Sequence, residues 1–569
     1  MFDADSGCDI FLCPATLPRT CHFFLGGVVD QCGQAPLDRL SVSQICRDLE
    51  VKLDEDLTEL LRRRFPQYSS HRVLRQSVDA RRSARVPHWV YSVEIFENQE
   101  TPTTPNFDPA PVNWPRSQAR PLIIGTGPAG LFAAIRLIER GVRPVILERG
   151  SVGEKRMLKI NRFWRYGELD PDNNVCIGEG GAGLYSDGKL ITRIKSPHIP
   201  YVMDRLVRFG APEEIRWLSN PHVGSDKIRR VIPKLREFLL AQGAEIHFDT
   251  PMTELLIEDR RVVGVRTRDG REWRSDHVVL ATGHSAEDIL RRLHEQGVAM
   301  EGKSFALGLR IEHPQESINR IQYRDAWKHP ALGAANYKLT HHDSESGIGV
   351  YSFCMCPGGY VLSSGTEADA LVSNGMSNYH RNSPFANAAI VVSLDHEKNF
   401  GANLFGGLDY RRQLETSAFE AVQAAGGGHA LPVQRVTDFL DARLGTALKG
   451  SSPSGAVAVR LDELLTQPLR DRLREALEIF QGKMRGFISA DAQFYGVETR
   501  TSCPVRVTRD NESLQSISHA GLYPAGEGAG YAGGITSAAC DGVRIADAIA
   551  DSTQSQSTPS ESASRLAKP

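Results

Sequence analysis

Gly125-Thr126-Gly127-Pro128-Ala129-Gly130 stands between an apolar run, Pro121-Leu122-Ile123-Ile124, and a helical stretch from Leu131 to Arg140. Glycines at this spacing can cradle a dinucleotide pyrophosphate. Gly125 permits the tight turn, Gly127 lets backbone approach the phosphates, and Gly130 allows close helix–strand packing. The free N–H groups and positive end of the following helix would face the phosphates. Gly141 supplies a C-cap, and Pro144-Val145-Ile146-Leu147 reads as a second strand ending at Glu148 and Arg149. Glu148 arrives at the right distance to accept hydrogen bonds from an adenosine ribose. A glycine fingerprint alone is weak; here strands, helix, cap and acid agree.

Two more glycine-rich segments follow, Cys176 to Lys189 and Gly521 to Thr536, the second opening a helix that runs to about Ala550. Between them, Ala244 to Gly283 alternates through hairpins, with a turn at Asp269-Gly270. No second GxGxxG follows a strand, so a dedicated Rossmann domain for NAD(P)H is missing. Cys354-Met355-Cys356 could close a strained, reducible disulfide; two packed thiols on one strand face is the favoured reading. For acid–base work the middle of the chain offers His313, Lys338, His341, His342, Tyr351 and Glu498. Adjacent His341 and His342 rarely face one site, so no metal is expected. Alternation sends Arg310 and Glu312 to one face, where they either pair with each other or leave Arg310 to clamp a substrate carboxylate. Arg500 carries the same two readings. Lys189 either neutralises charge near the cofactor or is a surface lysine. The catalytic candidates are thus Arg310, His313, Cys354, Cys356 and Arg500.

Taken together, these segments resemble the glutathione-reductase-type FAD fold. The stretch from about Gln76 to Ile549 resembles a bacterial family described only as FAD-dependent dehydrogenases. That resemblance is carried by Val78-Asp79-Ala80-Arg81, Gly178 to Leu190, Phe209-Gly210-Ala211-Pro212, Arg310-Ile311-Glu312-His313-Pro314, Phe353 to Gly359, Asn374-Gly375-Met376-Ser377, Asn403 to Gly407, Val497 to Ser502 and Gly526 to Ser537. It implies non-covalent FAD, with Glu148 on the adenosine ribose and Gly180, Gly181, Ala182 and Gly183 near the flavin. Gly526 and Glu527 fall near the pyrophosphate and ribityl chain; relatives usually carry Asp where this chain has Glu527. The helix starting near Gly534 would point its N-terminus at the flavin N1–C2=O edge and favour the negative charge of the reduced ring. Lys189, Gly283, Gly533, Gly534, Ile535 and Thr536 complete the expected cofactor-binding set.

These groups need a scaffold of several parts, and 569 residues can supply it. The expected fold is α/β, a Rossmann-type FAD domain assembled from separated segments around an inserted α+β substrate domain. The boundaries read as an extension over 1–33, a small α/β module over 34–100 and a Pro-rich linker over 101–119. The FAD domain follows over 120–300, then the insertion over 301–485, the closing FAD segment over 486–550 and a disordered tail over 551–569. Within the module, Val42 to Arg64 has helical apolar spacing and His88 to Phe96 alternates as a strand.

A net charge of −2 gives no global pull towards nucleic acid or anionic membrane. No apolar run is long enough to span a bilayer, and Met1 to Asp9 lacks the basic start of a secretory signal, so a cytoplasmic location is expected. Of the 10 cysteines, Cys8, Cys13, Cys21 and Cys32 crowd the first segment with spacings too irregular for a zinc site. The expected function is an FAD-dependent dehydrogenase or reductase acting on a small organic substrate. Its electrons would come from that substrate, from NAD(P)H or from a protein carrier. A flavin monooxygenase is the alternative enzyme. A flavoprotein that binds or modifies RNA through Arg62, Arg63, Arg64, Arg72, Arg75, Arg81, Arg82 and Arg85, with Trp89 and Tyr91, is the second class, disfavoured because the whole chain is not basic.

Overall fold

In a computed structural model, residues 43–556 are described, apart from 82, 85, 99, 104, 116 and 117. The 1–33 extension with its four cysteines, and the tail beyond 556, lie outside the described residues. The chain divides into two compact units, one of residues 1–79 with 88–104 and the other of 80–87 with 105–569.

The first unit holds an antiparallel sheet with His88–Glu97 between Ser43–Val51 and Tyr68–Asp79. The helical reading of Val42 to Arg64 is therefore corrected. Its first half is the strand Ser43–Val51, and only Leu57–Arg64 is helical. Asp56 sets that start by accepting a hydrogen bond from Glu59 N at 2.9 Å. Leu61 on the helix is buried with Leu49, Val51, Val93 and Ile95. Of the basic residues, Arg63 reaches Glu55 at 2.7 Å and Arg72 Nε reaches Glu94 at 2.9 Å.

At the centre of the second unit is a parallel sheet in the order Leu522–Pro524, Val278–Leu280, Leu122–Ile124, Val145–Leu147, Glu245–His247. Its strands come from well-separated parts of the chain; the inner ones Val278–Leu280, Leu122–Ile124 and Val145–Leu147 are short apolar runs suited to burial on both faces, whereas the edge strand Glu245–His247 carries polar residues. Helices Pro128–Glu139 and Ile535–Gln556 cross so closely that a Cβ on Gly542 would lie 2.1 Å from Ala129 O. The expected hairpins form the antiparallel strands Met252–Glu258, Arg261–Thr267 and Glu272–Arg274.

A seven-stranded sheet makes up the insertion, in the order Thr340–His342, Gly349–Cys356, Phe385–Leu394, Phe305–Pro314, Gln493–Glu498, Leu431–Arg435, Ala456–Ala458. Gln493–Glu498 pairs with Phe305–Pro314 in this sheet, so the insertion extends past residue 485. The Pro-rich stretch is likewise more than a linker. Val112 N donates to Arg140 O at 2.7 Å, and Asp108 pairs with Arg205 at 2.5 Å. At the other end, the last helix continues to Gln556, into the segment read as tail. Among the described residues no helix is long and apolar enough to cross a membrane.

Candidate functional site

The strand Leu122–Ile124 delivers the chain to Gly125, whose φ of +104° and place 2.4 Å (for an added Cβ) from Ala281 O require glycine. The helix then starts at Pro128 with Gly127 as N-cap and no side chain capping it. A Cβ on Gly127 would meet nothing nearer than Gly181 Cα at 4.0 Å. This helix end is thus open to a cavity of about 370 Å³ and can take an anion. Gly130, in contrast, packs against the turn, where a Cβ would lie 2.0 Å from Gly125 O. Glu148 Oε2 accepts from Thr126 N at 2.8 Å and Thr126 Oγ1 at 2.6 Å, and its Oε1 accepts from Gly150 N at 2.8 Å. The carboxylate therefore ties the glycine turn to the second strand, and Oε1, with one bond from the protein, keeps accepting capacity for a ribose hydroxyl.

The second glycine segment is hung on Arg156, which is fully buried. It donates to the carbonyls of Asn174 (2.9 Å), Val175 (2.9 Å), Gly178 (3.2 Å) and Glu179 (2.6 Å). Gly180 N adds a bond to Thr126 O at 3.1 Å, joining the two glycine loops. Opposite them begins the helix Ile535–Gln556. Added Cβ atoms on Gly533 and Gly534 would meet nothing within 4 Å, so these positions too face open space. Thr536 Oγ1 pins this helix start to Leu190 O at 2.7 Å.

Of the expected cofactor residues, Gly125, Gly127, Pro128, Ala129, Glu148, Arg149, Gly181, Ala182, Gly183, Lys189, Gly283, Glu527, Gly533, Gly534 and Ile535 all line the one cavity. Gly130, Gly180, Gly526 and Thr536 do not line it; they hold the elements that do. Gly526 N, for example, donates to Asp541 Oδ2 at 2.8 Å. Bare glycines at two open helix starts, with a ribose-compatible acid between strands, fit an elongated anionic dinucleotide such as FAD.

From the insertion come Phe353, Cys354, Asn374 and Glu498, followed by Arg500 and Thr501. Two sequence readings are corrected here. Arg310 pairs with Glu498 rather than Glu312, through Nε at 2.8 Å and Nη2 at 2.6 Å. Its remaining N–H groups go to Asn387 Oδ1, Cys354 O and Asn374 Oδ1. Glu312 instead accepts from Ser451 and from Tyr495 at 3.0 Å. The cause is the neighbouring strand, which brings Glu498 across from Arg310's sheet face. Arg500 is equally saturated, by Glu415, Glu367, Thr366 and Ser285. A guanidinium has five N–H donors, so neither arginine has one left for a substrate carboxylate.

His313 is corrected as an acid–base candidate. It lies outside the cavity lining with Nε2 2.8 Å from Phe487 O, and burial pushes its imidazole down to about 4. His341, His342, Tyr351 and Lys338 also lie outside the lining. Cys354 lines the cavity at a bulge, with φ +47°, while Cys356 is buried and its thiol is pushed up to about 12 by that burial. Both are free thiols. The bulge explains why simple alternation misplaces the pair.

Sequence reasoning missed Asp187, Asn374 and His284, which line the cavity. Asp187 lay within the glycine motif and could have been flagged as its sole acid besides Glu179. Burial, with Arg411 and Arg500 nearby, pushes His284 down to about 3 and keeps it neutral. Burial pushes the Glu527 carboxyl up from 4.5 to about 7, with Lys303 pulling the other way. Between those values the folded chain keeps a proton that the unfolded chain has released, so stability falls as pH rises from about 4.5 to about 7. Cofactor-free protein should therefore show an unfolding midpoint that drops across this window. Glu527→Gln should remove that component, and an unchanged pH profile in the variant would contradict the assignment.

Residues 304–501 match the family described as FAD-dependent protein, C-terminal domain-like, and residues 216–334 match FAD dependent oxidoreductase. A protein of Clostridium beijerinckii, described as uncharacterized, is 38% identical over 525 residues, 88% of this chain and 97% of that one. Thiamine thiazole synthase of Aeropyrum pernix is 28% identical over 198 residues, 32% of this chain and 60% of its own length. Among solved structures, glycine oxidase from Bacillus cereus aligns at 12% identity over 77% of this chain and 96% of that one, with a TM-score of 0.28. With a full-length relative at this identity and both regions matched, the chain belongs to a family of FAD-dependent oxidoreductases.

Proposed function

We propose that the enzyme moves hydride or electrons between FAD lying along the cavity and a small organic substrate bound at the insertion end. One observation carries this reading: a single cavity is lined both by the glycines of three nucleotide motifs and by Phe353, Cys354, Asn374 and Glu498 of the insertion. When bound, FAD supplies the one- and two-electron chemistry; the protein's share is position, electrostatics and exclusion of water. In this reading Gly127 and Gly181 leave room for the pyrophosphate against an open helix end, and Glu148 takes the ribose. The N–H groups at Gly533 to Ile535 face the flavin, where a helix N-terminus favours negative charge. Glu527 is the lining carboxyl that holds or releases a proton near neutral pH.

Purified protein should be yellow, and heat or acid should release FAD. Colourless protein that takes up no FAD would refute the reading. Anaerobic stopped-flow mixing with NADH, then NADPH, identifies the electron source. Rapid bleaching would give a nicotinamide site without a second Rossmann fingerprint and favour a reductase or monooxygenase. Persistent colour would favour a dehydrogenase reduced by its own substrate or by a protein carrier.

A further inference from the structure

Of the described residues that line the cavity, only Ile191, Gly533 and Gly534 are exposed; the others are buried or half-buried. The cavity therefore opens to solvent beside the start of Ile535–Gln556, the helix end read as facing the flavin. Glu148, the ribose acid, is buried. An opening at this end lets anything docked from solvent come close to the redox-active ring.

One side of that mouth is a loop anchored at both ends. Leu190 donates its N–H to Pro221 O at 2.9 Å and accepts from Thr536 Oγ1 at 2.7 Å. The helix Ile199–Arg208 takes up the chain at the other end. Between these anchors residues 191–196 form neither helix nor strand. Ile191 and Ile194 are 55% and 40% exposed, and Arg193 and Lys195 beside them are exposed too. From Gly188 to Met203 the chain contains no acid. Neither Arg193 nor Lys195 pairs with a carboxylate among the described residues. Two aliphatic side chains with two unpaired cations give the mouth a small apolar centre and a basic rim, the anatomy of a protein interface.

We propose that this mouth is the docking surface of an acidic one-electron carrier protein, which exchanges electrons with FAD through the open end of the cavity. The proposal rests on the FAD reading above and names the partner for that site. Electron-transfer encounters bury little surface, at the low end for protein interfaces, so a patch of this size suffices. Complementary charge then sets their association rate, and the unpaired Arg193 and Lys195 call for carboxylates. A lipid surface is a poorer match, because membrane attachment draws on an amphipathic helix or on about four to eight clustered cations. In the reductive direction two carriers each give up one electron in turn. The flavin takes both, with one proton from water, and the reverse sequence reoxidises it.

The test uses purified holoprotein, whose flavin absorption before any addition checks the cofactor reading separately. A plant-type 2Fe–2S ferredoxin serves as the acidic carrier and a mitochondrial cytochrome c as the basic one. Calorimetry follows complex formation, and anaerobic stopped flow follows flavin bleaching, each at low and high sodium chloride. Reduced ferredoxin should bind and bleach the flavin at low salt, and both should weaken roughly tenfold or more at high salt. Arg193→Glu combined with Lys195→Glu should weaken both by a similar factor at low salt, with unchanged flavin content and far-UV spectrum. Ile191→Ser combined with Ile194→Ser should weaken binding at both salt levels, as loss of an apolar contact does. Absence of ferredoxin binding, equal binding of cytochrome c, or undiminished binding in the charge-reversed protein would overturn the proposal. Attachment to phosphatidylglycerol vesicles through Arg193 and Lys195, without ferredoxin binding, would assign the patch to a lipid surface and also overturn it.

Discussion

Gly127→Val is expected to give a folded protein that has lost its FAD. The backbone there has φ −70° and ψ 179°, open to any residue. The nearest atom to an added Cβ is 4.0 Å away, so the fold accommodates the change. What a branched side chain fills is the space above the open N-terminus of Pro128–Glu139. Charge-assisted hydrogen bonds are worth about 1.5–3 kcal/mol each, so displacing the pyrophosphate from two N–H groups should weaken FAD roughly hundredfold or more. Flavin absorbance per mole of purified protein and the far-UV spectrum measure the two halves of this expectation. Gly125→Val is the contrast, since φ +104° and a Cβ 2.4 Å from Ala281 O should cost the fold itself. Full FAD occupancy in Gly127→Val would refute the proposed pyrophosphate contact.

Arg156→Met should be the most destabilising single change near the site. The side chain is buried and its four hydrogen bonds all go to main-chain carbonyls. Tyr185 stacks near its guanidinium at 5.2 Å. Methionine fills much of the volume yet leaves the carbonyls of Asn174, Val175, Gly178 and Glu179 without their donor. Buried unsatisfied groups cost about 1–3 kcal/mol each, partly relieved by relaxation, so a loss of about 3–5 kcal/mol is expected from urea unfolding. The freed segment carries Gly181, Ala182 and Gly183, so FAD affinity should fall with stability. Arg156→Lys should recover only part, because one ammonium cannot reproduce a planar fork. A variant with unchanged urea midpoint and flavin content would show that the loop holds its shape without the arginine.

Much of the FAD cradle was legible because its signals are local. A strand, a glycine turn, a helix start and a terminal acid act over a few tens of residues, and each restricts the backbone in its own way. Gly125 to Gly130 and Glu148 were read from that chemistry, while Gly533 to Ile535 were read from the resemblance to a flavoprotein family; in the fold Gly127, Glu148 and Gly533 to Ile535 line one cavity. The helical spacing of Val42 to Arg64 misled because a short apolar pattern does not separate strand from helix, and pairing of Ser43–Val51 with His88–Glu97 settled it. The insertion boundary failed for a similar reason, since Gln493–Glu498 joins a sheet whose other strands lie far away in sequence.

The sequence by itself pointed to a dinucleotide turn at Gly125 to Gly130, and its resemblance to a flavoprotein family pointed to FAD as the cofactor. Tertiary structure alone decided which charge pairs with which. Arg310 finds Glu498 across 188 residues, Arg500 finds Glu415 across 85, and Asp187 finds Arg381 across 194. Turn chemistry and periodicity act between near neighbours, whereas a buried charge takes its partner from whatever the sheet register and loop docking bring beside it. That is why the sequence leaves Lys189 with two readings, neutralising charge near the cofactor or lying on the surface, whereas the folded chain sets its ammonium 2.9 Å from Asp187.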